Sequence, residues 1–324
     1  MKTALVAAIA IATGLTGPAW AQDSYPEQPI TIIVGASPGG STDYLARLIG
    51  DAMAREMDAD IVIENVPGAG ATIGMRRVAT SDADGYTLGF GNMGHLAANV
   101  AVHENLGFDP LTDFAPIGNV ANVPMVLSVS NRGGMKTLQD FLDYMGENPG
   151  AANFGTSGPG STGWLAPSFL LDVTDLEAQL VAYQGAGPAL NDLIAGVMDA
   201  QMDQTVLMIP VHNDGQATAV AISGDERIEQ LPDVPTFAEA GLPEFDMVVW
   251  NALVAPAGVP EEVLGTLEAA LDAALDSETV QTAFSERAIQ TPAANDRGSE
   301  ALGNRIKREV ERWISVLEDF NDGQ

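Results

Sequence analysis

Apolar and polar residues follow two repeating patterns along the chain. Ile32, Ile33 and Val34 form a short β-branched run of the kind that makes a buried strand. A turn rich in glycine, serine and proline follows, and apolar residues then recur at helical spacing, namely Leu45, Leu48, Ile49, Ala52, Met53 and Met57. Residues 31–57 are therefore predicted to form a strand, a tight turn and a helix.

The same rhythm continues through most of the chain. Strand-like runs such as "ADIVIENV", "GYTLGFG", "VPMVLSVS" and "EAQLVAY" are each followed by a helix-like run, and the last part of the chain is amphipathic and helical. Strands that alternate with helices are typical of parallel sheets covered by helices on both faces. We therefore expect an α/β fold.

The first glycine-rich turn, "GASPGGST", fits three competing motifs. A phosphate loop would need a lysine after Gly40, and none is present. A nucleophile elbow would use Ser37, but the next residue must donate an N–H to the oxyanion and Pro38 has none. The third motif is a nest of backbone N–H groups at a helix N-terminus, which holds a carboxylate without reacting with it. A purely structural turn is the remaining alternative.

Two further glycine turns occupy equivalent places. Gly158, Gly160 and Gly163 fit G-x-G-x-x-G, but the acidic residue that a dinucleotide fingerprint requires after the next strand is missing. Residues 185–188 open another predicted helix. Each turn leaves the carboxyl end of a predicted strand, where open α/β sheets bind ligands, so the three together favour a shared small-molecule cleft.

Other candidates for chemistry are weak. His95, His103 and His212 lack any metal-binding spacing, so no metal and no cofactor are expected. Asp199 and Asp203 would form a carboxylate pair on one face of a helix, but "VMDAQMD" reads equally well as a strand. No complete set of nucleophile, base and oxyanion donors appears, and we expect no enzymatic activity.

Charge narrows the range of partners. The chain has 44 acidic and 14 basic residues, a formal net charge of −30. Binding to nucleic acid or to anionic membranes calls for basic patches, so neither partner is expected. There is no cysteine, which excludes disulfides and thiolate metal sites.

The first 21 residues predict export. Lys2 precedes the apolar run "ALVAAIAIATGL", and Ala19-Trp20-Ala21 forms an A-x-A cleavage site. We therefore expect residues 1–21 to be a signal peptide and the mature protein to be periplasmic.

Several segments between Tyr25 and Arg297 resemble one known family in order and spacing. They include "PGGSTDYLARLI", "VIENVPGAGATIG", "NFGTSGPGST", "YQGAGPALNDLIAG" and "LPDVPTFAEAGLPEF". On these motifs the chain resembles the periplasmic solute-binding proteins of tripartite tricarboxylate transporters, the Bug family. The resemblance implies a two-lobed type II periplasmic binding protein fold with the ligand cleft between the lobes. It also implies lobe 1 at residues 22–121 and 222–324, and lobe 2 at residues 122–221.

The resemblance also implies a set of ligand-binding residues. In the family, a ligand carboxylate is held by glycine loops of both lobes through N–H groups, hydroxyls and water. The matching positions are Ser37, Gly39, Gly40, Ser41, Thr42, Thr156, Ser157, Gly160, Ser161, Tyr183, Gly185, Ala186 and Asp203. The chain departs from the family pattern at Ala36, where an aromatic residue is common, and at Trp164, where many members have histidine. Trp164 is therefore a further candidate ligand contact, with a core tryptophan as the alternative.

The function implied is capture of a small organic carboxylate, either a di- or tricarboxylate or an aromatic acid. The expected partners are this ligand and the membrane subunits of a tripartite tricarboxylate-type transporter, with the receptor itself a monomer. Two alternatives are a periplasmic serine hydrolase that uses Ser37 and a sensor that presents its ligand to a membrane kinase.

Overall fold

A computed structural model of the chain describes residues 25–322, with side chains described for residues 25–316. The predicted signal peptide, residues 1–21, lies outside the described residues. Among the helices of the described part, none combines the length and the apolar character needed to cross a membrane.

Nine strands of residues 25–322 form one continuous sheet. They are β1 (Ile30–Val34), β2 (Ile61–Asn65), β3 (Thr87–Asn92), β4 (Phe114–Ser130), β5 (Asn153–Thr156), β6 (Gln179–Ala182), β7 (Ala200–Gln204), β8 (Ala217–Ile222) and β9 (Val248–Pro256). Their order across the sheet is β2-β1-β3-β9-β4-β7-β5-β6, and β8 pairs with β4 off this path.

Within the described residues, ten α-helices cover the sheet. They are α1 (Ser41–Met57), α2 (Thr72–Ala79), α3 (Asn99–Val102), α4 (Leu138–Glu147), α5 (Thr162–Thr174), α6 (Ala186–Ile194), α7 (Thr205–Asn213), α8 (Glu261–Asp276), α9 (Glu278–Glu286) and α10 (Ser299–Asp322). A π-helical turn at Gly94–Ala98 precedes α3, and 3₁₀ turns lie at Ala69–Ala71, Asn131–Gly133 and Ala294–Asp296.

The sheet has two parallel ends joined by antiparallel strands. β1 pairs in parallel with β2 and β3, and β5 pairs in parallel with β6 and β7. Residues 114–124 of β4 pair with β9, whereas residues 125–130 pair with β7 and β8. The chain thus passes along β4 from the first lobe, which carries β1 to β3 and β9, to the second, which carries β5 to β8.

The alternation of strands and helices predicts parallel sheets, and this prediction is wrong for the central region. β9 runs antiparallel to both β3 and β4 because the chain returns from the second lobe in the direction opposite to its outward path. The two-lobed α/β fold itself is confirmed. The lobe boundaries expected after residues 121 and 221 stay a prediction.

The first strand and helix form as predicted. Ile30, Ile32, Ile33 and Val34 are fully buried, since helices cover both faces of this part of the sheet. α1 packs Leu45, Ile49 and Met53 into the same apolar core, while Leu48 and Met57 are half-buried at its edge. This packing fixes the position of the glycine turn between β1 and α1.

The last helix holds the strand that joins the lobes. Arg305 of α10 donates a hydrogen bond of 2.7 Å from Nη2 to the Asn122 side-chain oxygen, and its guanidinium lies 5.5 Å from the Trp250 ring centre. These contacts anchor β4 and β9 where the chain passes between the lobes.

Candidate functional site

A cavity of about 240 Å³ lies where the two lobes meet. Every part of its lining follows, or forms, the carboxyl end of a parallel strand. The lining comprises residues 35–37 and 40–42 after β1, 67–71 after β2, 92 and 95 at the end of β3, 157–159 and 161–162 after β5, 182–186 after β6, and 203–204 at the end of β7. This is the place where open α/β sheets bind ligands.

The turn after β1 supplies the first-lobe wall. Ser41 and Thr42, the first residues of α1, are buried and line the cavity together with Ser37 and Gly40. Gly39 does not line it, and its N–H donates to Asp43 Oδ2 over 2.9 Å. Asp43 also accepts from Asn65 and forms an ion pair with Arg47, which holds the turn in place.

The turn after β5 supplies part of the second-lobe wall. Ser157 and Ser161 line the cavity, and the Ser161 hydroxyl donates to the Gly158 carbonyl over 2.6 Å. Thr156 and Gly160 do not line the cavity. Gly160 instead faces the first lobe, where a Cβ on it would overlap Asn99 Oδ1. Thr156 Oγ1 donates to the Val181 carbonyl on the neighbouring strand, so its role in the structure is to fix the turn.

Trp164 is not among the residues brought to the cavity. It lies on the first turn of α5, is half-buried and packs against the apolar core cluster. α5 continues through Pro167 to Thr174 without a break.

The turn after β6 touches the first lobe directly. Gly185 has a φ of 129°, and a Cβ placed on it would lie 2.6 Å from both Cβ and Oγ of Ser37. Only glycine lets the two turns approach this closely. Ser37 Oγ donates a hydrogen bond to the Gln184 carbonyl, so the contact spans the two lobes. Tyr183 also lines the cavity, and burial together with its hydrogen bond to Asp192 raises the pKa of its phenol to about 12.

Asp203 makes a second link between the lobes. It is the last residue but one of β7 and is 6% exposed, and its Oδ1 accepts from Ser41 Oγ over 2.7 Å and from Gln204 N over 2.8 Å. Burial raises the pKa of Asp203 to about 6, although both hydrogen bonds act in the opposite direction. Because β7 is a strand, Asp199 and Asp203 do not share a helix face. Asp199 instead accepts from Asn153 N over 2.8 Å.

Sequence reasoning missed three parts of the lining: the turn at residues 67–71, Asn92, and His95. His95 lies in the π-helical turn and is buried, which lowers its pKa to about 4. Its Nδ1 has no hydrogen-bond partner. Asn92 donates to Thr42 Oγ1 and accepts from Gly94 N. All three follow or end predicted parallel strands, so the rule that found the other turns would have found them too.

The lining can attract an anion without a cation. Its ionisable side chains are His95, Tyr183 and Asp203, and it contains neither lysine nor arginine. Its polar groups are mainly hydroxyls, amides and backbone N–H groups at helix starts. Such groups favour a carboxylate through short-range hydrogen bonds and helix dipoles.

No catalytic or metal centre accompanies these groups in the described part of the chain. The Ser37 hydroxyl donates to a carbonyl oxygen, not to a base, and Pro38 has no N–H for an oxyanion. Residues 25–322 contain no group of three or more histidine and acidic side chains that could hold a metal ion.

Comparison with known proteins gives one consistent family. The family model described as "Tripartite tricarboxylate transporter family receptor" matches residues 45–321. A relative from Agrobacterium vitis, described as "UPF0065 protein in the TAR-I ttuE-ttuC' intergenic region", is 36% identical over 320 residues, covering 98% of this chain and 92% of the relative.

Two solved structures are also similar to the chain. One is MatC (Rpa3494) from Rhodopseudomonas palustris with bound malate, 34% identical with a TM-score of 0.87, covering 90% of this chain and 100% of that one. The other is R. palustris Rpa4515 with adipate, 31% identical with a TM-score of 0.86, covering 91% of this chain and 97% of that one.

Proposed function

Because the chain belongs to the tripartite tricarboxylate transporter receptor family, we propose that it captures a small organic carboxylate between its lobes for delivery to the membrane subunits of such a transporter. The family is one of receptors, not enzymes. We further propose that it acts in the periplasm, as the predicted signal peptide implies.

The observation that carries the proposal is the convergence of three uncapped helix N-termini on one cavity. α1, α5 and α6 begin after Gly40, Ser161 and Gly185, and none of these three residues caps its helix with a side-chain hydrogen bond. The first-turn N–H groups of a helix lack intrahelical partners, and the helix dipole adds positive potential there. Residues at all three helix starts line the cavity. Three such ends provide an anion site built from backbone groups.

The proposed binding residues are the lining members of the predicted set. They are Ser37, Gly40, Ser41, Thr42, Ser157, Ser161, Tyr183, Gly185, Ala186 and Asp203. Gly39, Thr156 and Gly160 do not line the cavity, and Gly39 and Thr156 instead make hydrogen bonds within their own lobes. Hydrogen bonds to a charged acceptor contribute about 1.5–3 kcal/mol each, so a few of them account for micromolar binding.

The size of the cavity favours a small acid. A volume of about 240 Å³ suits a molecule of the size of malate or adipate, the ligands named for the two similar R. palustris structures. We therefore propose aliphatic dicarboxylates as the first class to test. Closure of the lobes around the ligand would involve β4, which runs through both.

A thermal-shift and calorimetric screen of the mature chain tests this function. The panel contains malate, adipate, citrate and an aromatic acid, with the diamide of malate as an uncharged control of similar shape. We expect at least one acid, and not the diamide, to raise the melting temperature and bind with one site per chain. Binding of the diamide as tightly as malate, or of no acid at all, would contradict the proposal.

A further inference from the structure

Asp203 places a carboxyl group inside a cavity proposed to bind another carboxyl group. Its Oδ1 already accepts two hydrogen bonds, from Ser41 Oγ and from Gln204 N. Its Oδ2 accepts no hydrogen bond from the described residues, and the protein does not fully enclose this atom. Because Asp203 lines the cavity, Oδ2 is the atom that faces a bound ligand.

The surroundings of Asp203 provide no positive charge. The other ionisable lining groups are His95 and Tyr183, both neutral near pH 7. β4 and β5, which flank β7, contain no ionisable side chain. The helices packed on β7 contribute Asp172, Asp192 and His212. α1 lies beside them and carries Asp43, Tyr44, Arg47, Asp51, Arg55 and Glu56, of which Asp43 and Arg47 pair with each other. None of these is a cause of the raised Asp203 pKa, which comes from burial.

An anionic ligand in this cavity would bring a second negative charge next to Oδ2. Two carboxylates that share a desolvated site without a cation cannot both stay ionised, and the one with the higher pKa takes a proton. Free aliphatic acids have pKa values near those of Asp and Glu, about 4. Burial has already brought the pKa of Asp203 to about 6. The proton therefore goes to Asp203, and the ligand stays charged.

We propose that the chain takes up one proton when it binds a carboxylate, and that Asp203 holds this proton and donates its Oδ2–H to a ligand oxygen. The inference rests on the proposed function and deepens it. It makes Asp203 a ligand contact that selects for an anionic oxygen, although Asp203 is itself an acid. The proton comes from the solvent, and no covalent bond of the ligand changes.

His95 is the competing acceptor of the proton. Its imidazole is buried in the same lining, and a nearby anion would also favour its charged form. Its pKa is lowered to about 4, so at pH 7.5 protonating His95 requires a larger shift than protonating Asp203. The negative charge of the ligand therefore favours protonation of Asp203 before protonation of His95.

Calorimetric titration in buffers of different ionisation enthalpy measures proton uptake directly. The probes are malate and adipate at pH 7.5; adipate has no hydroxyl that could donate to an ionised Asp203. The slope of observed enthalpy against buffer enthalpy should give roughly one proton taken up per ligand bound, and the affinity should fall about tenfold per pH unit above pH 7. Asp203→Asn should bind without proton uptake and with little pH dependence.

Three variants separate the outcomes. Asp172→Asn, an exposed carboxylate on α5, should retain the proton uptake of the wild type. His95→Gln should retain it in whatever binding remains. Binding by the wild type with no proton uptake would overturn the inference and leave the proposed function intact. Uptake that survives in Asp203→Asn but vanishes in His95→Gln would also overturn it. If neither probe nor any other acid binds, the proposed function fails and the inference with it.

Discussion

Replacing Gly70 by alanine should weaken ligand binding while leaving the fold intact. Gly70 lies on the first-lobe turn after β2 and has φ 59° and ψ 36°, a left-handed conformation. A Cβ on this residue would overlap the Pro159 carbonyl oxygen of the second lobe and lie 3.1 Å from Gly160 Cα. Ordinary contacts of a Cβ fall between 3.4 and 4 Å, so the lobes could not close fully.

The magnitude follows from the cost of overpacking. Forcing an extra methyl group into a packed contact costs about 1–3 kcal/mol, here only in the closed state, which corresponds to roughly a 5- to 150-fold loss of affinity. Gly215→Ala is the matched control, because Gly215 has φ 67° but nothing within 4 Å of its Cβ position. Both variants have a similar left-handed strain of about 1–2 kcal/mol, so their melting temperatures should fall alike.

The assay compares the two variants with the wild type by calorimetric titration with malate or adipate. Only Gly70→Ala should lose affinity, and small-angle scattering should show less compaction by ligand than in the wild type. Wild-type affinity in Gly70→Ala would refute the argument that these two turns must touch for tight binding. An equal loss of affinity in Gly215→Ala would instead point to a general effect of backbone strain.

Three further predictions concern charge and hydrogen bonding. Asp203 has a raised pKa in the folded state, so its contribution to stability is present at low pH and is lost as pH rises towards about 6. Asp203→Asn should therefore stabilise the ligand-free protein by up to about 3 kcal/mol at pH 7.5, and it should give no stabilisation at pH 4. A lower melting temperature of this variant at both pH values would contradict the prediction. The lining has no cation and the chain has a formal charge of −30. The affinity for a carboxylate should therefore hold steady or rise between about 0.1 and 1 M NaCl. A large fall of affinity in titrations at high salt would reveal an unrecognised basic contact. Ser37→Ala removes the hydrogen bond to the Gln184 carbonyl across the lobes and should weaken binding by about 0.5–1.5 kcal/mol; ester hydrolysis by the wild type that disappears in this variant would revive the hydrolase alternative.

The local pattern predicted the elements next to the site and missed the centre of the sheet. β1 and α1 are each encoded by a contiguous run of residues, so hydrophobic periodicity finds them. β4 is different, because Pro116 and Gly118 interrupt its first half. The strand accommodates them with register shifts between Pro116 and Gly118 and between Asn119 and Ala121, against β9 more than 120 residues later. Long-range pairing of this kind leaves no local signal.

The residues of the candidate site were likewise predictable from the sequence only in part. Glycine turns at the ends of predicted parallel strands were identifiable from the sequence, because that edge of the sheet is a general place for ligands. His95 was set aside because it lacks metal-binding spacing, although it follows a predicted strand and the same rule would have included it. The position of Trp164 depends on which way the first turn of α5 faces, and helical periodicity over a few residues does not determine it.

A crystal structure of the mature chain with malate or adipate would show directly which groups hold the ligand. A ligand carboxylate should lie in the cavity at the helix starts, within about 3 Å of backbone N–H groups near Ser41, Ser161 and Ala186, with a second oxygen near Asp203 Oδ2. No lysine or arginine should contact it. A carboxylate bound instead through arginine, for example in the groove lined by Arg297 and Arg308, would show that backbone groups in the cavity do not hold the ligand.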